Sequence, residues 1–326
     1  MKKTFKKQMA VVFGAIAMIG YLSVRFFPQQ EQPATPVIST KDETKHMQIY
    51  MMDSDQTLVP LSIPVSEEMS EEDKLALMFS YMSGKQEIKG FQPLFEKECT
   101  LQSTSIKNGI VSLYFDASLK NYNKDNELRI LEAITWGATQ FHDIEQVKLY
   151  LNDKQLNAMP NAQTPIPEIL NRSIGINHFE TSTASLHDST SLTVFCTKKV
   201  EGNEYMVPKS KRVAQNKGDT LKASVEDILS DISVSSRLDQ PLYADDIRVS
   251  SFDVYDGSLV VNLNKNILGS NRSVKQDVYN ALVLSLAALP GIEKVEVRVD
   301  GVTVSPRDQK EDMVSVYALT YNEVQF

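Results

Sequence analysis

QPLFEKECTLQSTSIKNGIVSLYF (Gln92–Phe115) lies over QPLYADDIRVSSFDVYDGSLVVNL (Gln240–Leu263) without a gap. The offset is 148, and it continues to Leu156 over Val304. Ten of these 65 positions are identical, among them Pro93/Pro241, Gly109/Gly257, Ile144/Ile292 and Val147/Val295. Identity is sparse, so the weight rests on pattern. Asn108-Gly109 and Asp256-Gly257 are type I′ hairpin signals between alternating hydrophobics. Val111, Leu113 and Phe115 then match Leu259, Val261 and Leu263, and period two makes each set one buried face. A helix follows each hairpin. Leu128, Leu131, Ile134, Ala138 and Phe141 form its stripe in the first copy, and Val278, Leu282, Leu286 and Leu289 in the second. Asp125 and Ser273 stand as N-caps. Val147, Leu149 and Leu151, and Val295, Val297 and Val299, give the next strands, with Lys294, Glu296 and Arg298 on a wet face.

Upstream, Met47–Met52 and Leu192–Thr197 read as opening strands, with short second strands at Leu58–Ile63 and Tyr205–Val207. Helices follow over Ser70–Ser83 and Asp219–Ile232, and Ser70 with Asp73 makes a capping-box start. The expected fold class is α+β. It consists of two tandem two-layer domains in β-α-β-β-α-β order, each a small mixed sheet with two helices, after a single N-terminal transmembrane helix.

The N-terminus supplies that anchor. Lys2, Lys3, Lys6 and Lys7 precede MAVVFGAIAMIGYLSVRFF, Met9–Phe27. As a helix this run spans about 28 Å, close to the roughly 30 Å hydrocarbon core. Charge asymmetry places residues 1–8 in the cytoplasm and everything after Phe27 outside. No small-x-small cleavage site follows the apolar run, so an uncleaved anchor is expected. The map is then a cytoplasmic start (1–8), an anchor (9–27), a stalk with Pro28, Pro33 and Pro36 (28–46), domain 1 (47–160), a linker (161–190), domain 2 (191–306) and a tail (307–326) with a strand at Val314–Leu319. Beyond residue 27 the chain carries 29 basic and 42 acidic residues. That balance argues against nucleic acid, which needs clustered Lys and Arg.

The opening strand, the QPL segment, the hairpin and AITWGATQFHDIEQVKLYLNDKQL together resemble the GerM domain. ALVLSLAALPGIEKVEVRVDGVTV in the second copy is similar, down to the Pro290-Gly291 step. The resemblance covers about Met47–Leu156 and Leu192–Val304. Such domains occur singly or in tandem in bacterial proteins of sporulation and spore germination. The resemblance implies a place between mother cell and forespore, support of a secretion-like channel, kinship with ring-building domains, and no catalytic residue. Familiar members carry a lipobox cysteine; here no cysteine precedes Cys99, and the apolar helix takes over attachment.

The residues themselves offer no reaction chemistry. His46, His142, His178 and His187 lack metal-ligand neighbours at useful spacing, and His178 and His187 read as solvated linker residues. No nucleophile elbow or phosphate-binding glycine loop occurs. Asp245-Asp246 lies over Lys97-Glu98, so no paired carboxylate repeats. Cys99 and Cys196 read as small buried hydrophobes in separate domains, and Trp136 as core or a domain contact. The expectation is a non-enzyme with no catalytic, cofactor or metal residues and no cofactor. Its partners are the membrane and either other sporulation envelope proteins or itself. The candidate pairing edges are Leu58–Ile63, Tyr205–Val207 and the tail strand. The alternative is a cell-envelope sensory or ligand-binding ectodomain acting with a signalling partner.

Overall fold

The computed structural model of the protein describes residues 46–178, 189–214, 220–229, 247–269, 272–305, 314–315 and 320–324. The Met9–Phe27 anchor, most of the stalk, Gln240, Asp245-Asp246, His187 and the tail from 316 to 319 lie outside them. No described helix is long and apolar enough to cross a membrane. The described residues belong to one compact unit.

In the first copy, β1 (His46–Met52) and β2 (Leu58–Pro64) form an antiparallel hairpin. Helix α1 (Glu71–Met82) follows, then β3 (Leu101–Lys107), β4 (Ile110–Phe115), α2 (Glu127–Ala138), β5 (Gln146–Leu151) and β6 (Lys154–Gln155). The second copy repeats the order: β7 (Ser189–Val200), β8 (Asn203–Ala214), α3 (Thr220–Leu229), β9 (Val249–Tyr255), β10 (Ser258–Leu263), α4 (Gln276–Ala287), β11 (Lys294–Val299) and β12 (Val302–Thr303). Both mixed sheets have one antiparallel pair, a parallel pair across the helix, and a short antiparallel return strand.

The repeat holds at the level of register. Ile110 pairs with Gln146, and Ser258 with Lys294. Both copies slip at the same place: Gln102 is the extra residue of β3 and Ser250 that of β9. Asn108 and Gly109 have φ of 51° and 76°, and Asp256 and Gly257 have 48° and 68°. These are the left-handed values a type I′ turn demands. Of the twelve residues in the two alternating strand sets eleven are buried, and Leu151, at the end of β5, is half-buried.

Four features differ from the sequence reading. The opening strands do not join the mixed sheets but stay in their own hairpins, with the helices between hairpin and sheet, so each copy has three layers rather than two. A helix covered on opposite sides has no wet face, and every residue from Ile130 to Ala138 is buried. Leu128, placed on the stripe, is exposed instead. The second helices also start differently. A 3-10 turn leads into α2, whose N-cap is Asn126, and Lys275 caps α4; neither side chain makes a capping bond. Glu127 fastens the start of α2 from inside, accepting the Tyr122 hydroxyl and the N–H groups of Asn161, Ala162 and Thr164. Ser70 does accept from Asp73 N–H at the start of α1. On the sheet's outer face Glu296 is buried, because Arg298 and Thr303 fold over its carboxylate.

The segment after β6 packs back on its own domain. Met159, Leu170 and Ile176 are buried, and Leu170 bridges to Val147 at the edge of β5. The tail does the same in the second copy, where β13 (Val314–Ser315) pairs with Lys294 and Val295.

Candidate functional site

The two copies meet along β2 and β8. An edge strand leaves every second residue's N–H and C=O unpaired, and when buried these groups need partners. On β2 the residues turned away from β1 are Leu58, Pro60 and Ser62. Their counterparts on β8 are Met206, Pro208 and Ser210. Proline suits such an edge, since it has no N–H to leave unsatisfied.

Two asparagines close the gap with the same bonds, exchanged between copies. Asn177 accepts from Leu58 N–H at 2.9 Å and donates to the carbonyls of Leu58 (2.8 Å) and Pro208 (2.9 Å). Asn322 accepts from Met206 N–H at 2.8 Å and donates to the carbonyls of Met206 and Pro60, both at 2.7 Å. Each asparagine therefore holds the strand of its own copy and reaches one carbonyl of the other, as symmetry-related residues do in an isologous dimer. Both stand at positive φ, 48° and 56°. Asparagine tolerates this conformation better than most residues. Ser210 N–H donates to Ile176 O, and Ser62 N–H to Asn322 O.

Side chains cross the seam too. Cys196, Val200 and Val207 of the second copy belong to the core of the first. Cys196 thus shares a core with Cys99 rather than lying in a separate one, and the two form no disulfide. Burial pushes the Cys99 thiol up to about 12, so it stays protonated. Lys198 reaches Asp53 at 2.7 Å and Asp55 at 3.1 Å in the β1–β2 turn. Leu58–Ile63 and Tyr205–Val207, read as free edges, are internal for this reason. Among the described residues β3 and β9 are the long strands that end their mixed sheets with one side unpaired, the opposite ends being the two-residue strands β6 and β12. The outer sides of β1 and β7 meet helix side chains, Gln140 bonding the main chain of Gln48 and Ser285 Oγ accepting the Phe195 N–H.

Beside this seam lies a cavity of about 260 Å³. Its first wall is mostly polar and aromatic, with His46, Gln48, Tyr50, Trp136, Thr139, Gln140 and Arg172 among its residues. The second copy contributes Phe195, Leu284, Ala287 and Ala288, and Tyr321 of the tail also lines it. Trp136 donates its indole N–H to Gly175 O and meets Tyr50 edge-on. The Arg172 guanidinium lies 4.7 Å from the Trp136 ring centre, and its Nε–H donates to Thr139 Oγ1 at 2.9 Å. Burial pushes the Tyr50 hydroxyl up to about 12 and that of Tyr321 well above its usual value.

No catalytic, cofactor or metal residue was expected from the sequence. Among the described residues no group of three or more His, Cys, Asp or Glu is placed to hold a metal ion. His178 is half-buried with its ring against Ile174 O, not a solvated linker residue. His142 follows the end of α2 in an exposed turn. Asn177, Asn322 and Arg172 were not singled out from sequence. A signal for the seam existed: LVPLSIP over MVPKSKR, Leu58–Pro64 over Met206–Arg212, repeats Val, Pro and Ser at the same offset of 148.

Comparison with known proteins agrees with this architecture. The sequence matches the Germane family, described as sporulation and spore germination, over residues 48–157 and again over 193–305. It is 30% identical over 283 residues to the spore germination protein GerM of Bacillus subtilis (strain 168), covering 84% of this chain and 76% of that one. The solved tandem GerMN domains of the Bacillus subtilis sporulation protein GerM superpose with a TM-score of 0.74 at 28% identity, over 84% of this chain and 97% of theirs. A twofold α+β repeat with mixed sheets and few helices, matched in both halves, makes the chain a member of the Germane sporulation and spore germination family.

Proposed function

We propose that this sporulation-family protein is a non-enzymatic assembly protein. In this reading Met9–Phe27 anchors it in the membrane with both copies outside the cytoplasm, and it supports the channel between mother cell and forespore as well as later germination. Its partners are other sporulation envelope proteins or further copies of itself. The observation that carries the reading is where the free edges lie. The seam covers the hairpin edges at β2 and β8, while β3 and β9, the long end strands of the mixed sheets, each keep one side open. An open strand edge recruits a partner through main-chain bonds, and two such edges on one body add avidity.

The test is complementation in a sporulating host. Of two adjacent strand residues, one N–H faces away from the neighbouring strand. Proline is therefore placed singly at Thr104 and Ser105 of β3, and at Ser251 and Phe252 of β9. Variants that keep native circular dichroism and membrane attachment are compared with single alanine replacements of exposed Ser, His and acidic residues. Loss of sporulation in the folded proline variants, with the alanine variants active, is the expected result. A folded alanine variant that alone abolishes sporulation contradicts the reading.

A further inference from the structure

We infer that the cavity between the two copies binds a small amphipathic carboxylate, its charge held by Arg172 and its apolar part lying against the second copy. The site is independent of the open edges. Its two walls come from repeated positions whose chemistry has diverged: Trp136 faces Leu284, Thr139 corresponds to Ala287 and Gln140 to Ala288. One polar, cationic wall therefore stands opposite an apolar one. A pure packing gap between domains tends to be apolar and dry.

Most polar groups of the first wall are already used. Gln140 reads the backbone of Gln48 from both sides, accepting its N–H at 2.6 Å and donating to its carbonyl at 2.8 Å. Tyr50 donates its hydroxyl to Gln48 Oε1 at 3.1 Å. Ser62 donates its hydroxyl to Tyr321 O, and His46 also lines the cavity. The permanent cation on this wall is Arg172. Thr139 and the Trp136 face fix its guanidinium, yet these contacts leave its terminal N–H groups free to donate. Among the described residues no carboxylate lines the cavity or pairs with Arg172. The neutral hydroxyls of Tyr50 and Tyr321 add no negative charge. A planar guanidinium with spare donors matches a carboxylate in both charge and shape.

Size sets the rest. A cavity of about 150 Å³ holds a benzene ring. By proportion, 260 Å³ takes about ten non-hydrogen atoms. That is room for one ring or one branched chain beside the carboxylate, and it is too small for a nucleotide or a lipid.

Trp136 is the only tryptophan of the chain, so the site carries its own reporter. The full chain is labelled with 5-fluorotryptophan and titrated with benzoate, and separately with benzamide, its neutral isostere, with the fluorine resonance as readout. Benzoate is expected to shift the resonance saturably, and benzamide to bind about tenfold or more weakly, the scale of a charge-assisted hydrogen bond. Arg172→Gln should erase that preference and Arg172→Lys should keep part of it. Arg172 is exposed, so these variants should stay folded. Ala287→Leu, which fills the cavity from the other wall and leaves Arg172 in place, should also abolish the benzoate shift. No saturable shift with benzoate, equal binding of the two probes, or unchanged selectivity in Arg172→Gln overturns the proposal.

Discussion

Asn177 and Asn322 each satisfy three backbone groups that the strand pairing leaves open. An unsatisfied buried N–H or C=O costs about 1–3 kcal/mol. Asn177→Ala and Asn322→Ala are therefore each expected to lower stability by on the order of 3 kcal/mol, read from urea unfolding of the full chain. Asn177→Asp should be worse than Asn177→Ala, because it removes two donors and buries a charge among carbonyls. Glu127 carries a second residue-scale prediction. Burial raises its pKa, but the N–H groups of Ala162 and Thr164 and the Tyr122 hydroxyl outweigh this and bring it down to about 2. A folded-state value below the unfolded one means stability that is full above about pH 4.5 and is lost as pH falls through 2. Glu127→Gln should flatten that acid loss in unfolding measured from pH 6 to pH 2, and should lower stability at pH 6. None of these roles shows in the local sequence. Asn177 finds Leu58 across 119 positions, and its partners are main-chain atoms, which carry no residue code. Glu127 sits where a helix start accepts any acidic residue, and only the return of the Asn161–Thr164 loop makes it a buried acceptor.

At the scale of elements, the parts with strict periodicity were the readable ones. Strand alternation and the I′ turns are enforced within a few residues by pleat and by φ, so β4, β5, β10 and β11 and their inward faces could be placed from sequence. Helices α2 and α4 were harder. Contact on opposite sides makes them apolar nearly all round, and a stripe then no longer marks the core; Leu128 was misplaced for that reason. The hairpins were misassigned because a strand buried between helices and a second hairpin looks in sequence like an ordinary edge. The strand core gives a direct check. Leu263 is fully buried in β10, opposite the bulged residue pair of β9. Leu263→Ala is expected to cost about 2–5 kcal/mol, measured as a fall in the denaturation midpoint. The matching truncation, Phe115→Ala in β4, should be at least as costly, about 3–5 kcal/mol, since Phe115 also meets Phe79 edge-on.

For the whole molecule, the repeat was legible as two copies, but their union was not. Joining them takes Cys196, Val200 and Val207 into the first copy's core and ties Lys198 to Asp53. Taking away one member of a buried ion pair costs about 3–5 kcal/mol, so Lys198→Ala should destabilise both copies together. The result is a single body whose seam is spent on its own halves and in which β3 and β9 each end a mixed sheet with one side unpaired. The claim that the two copies form one body is tested most directly by following denaturant unfolding in each copy at once. Trp136 fluorescence reports the first copy, and hydrogen exchange at Val261 and Val297 the second. The account predicts coincident midpoints, which fall together when Asn322 is replaced by alanine. Two separate transitions, with Asn322→Ala moving only the second, would contradict it.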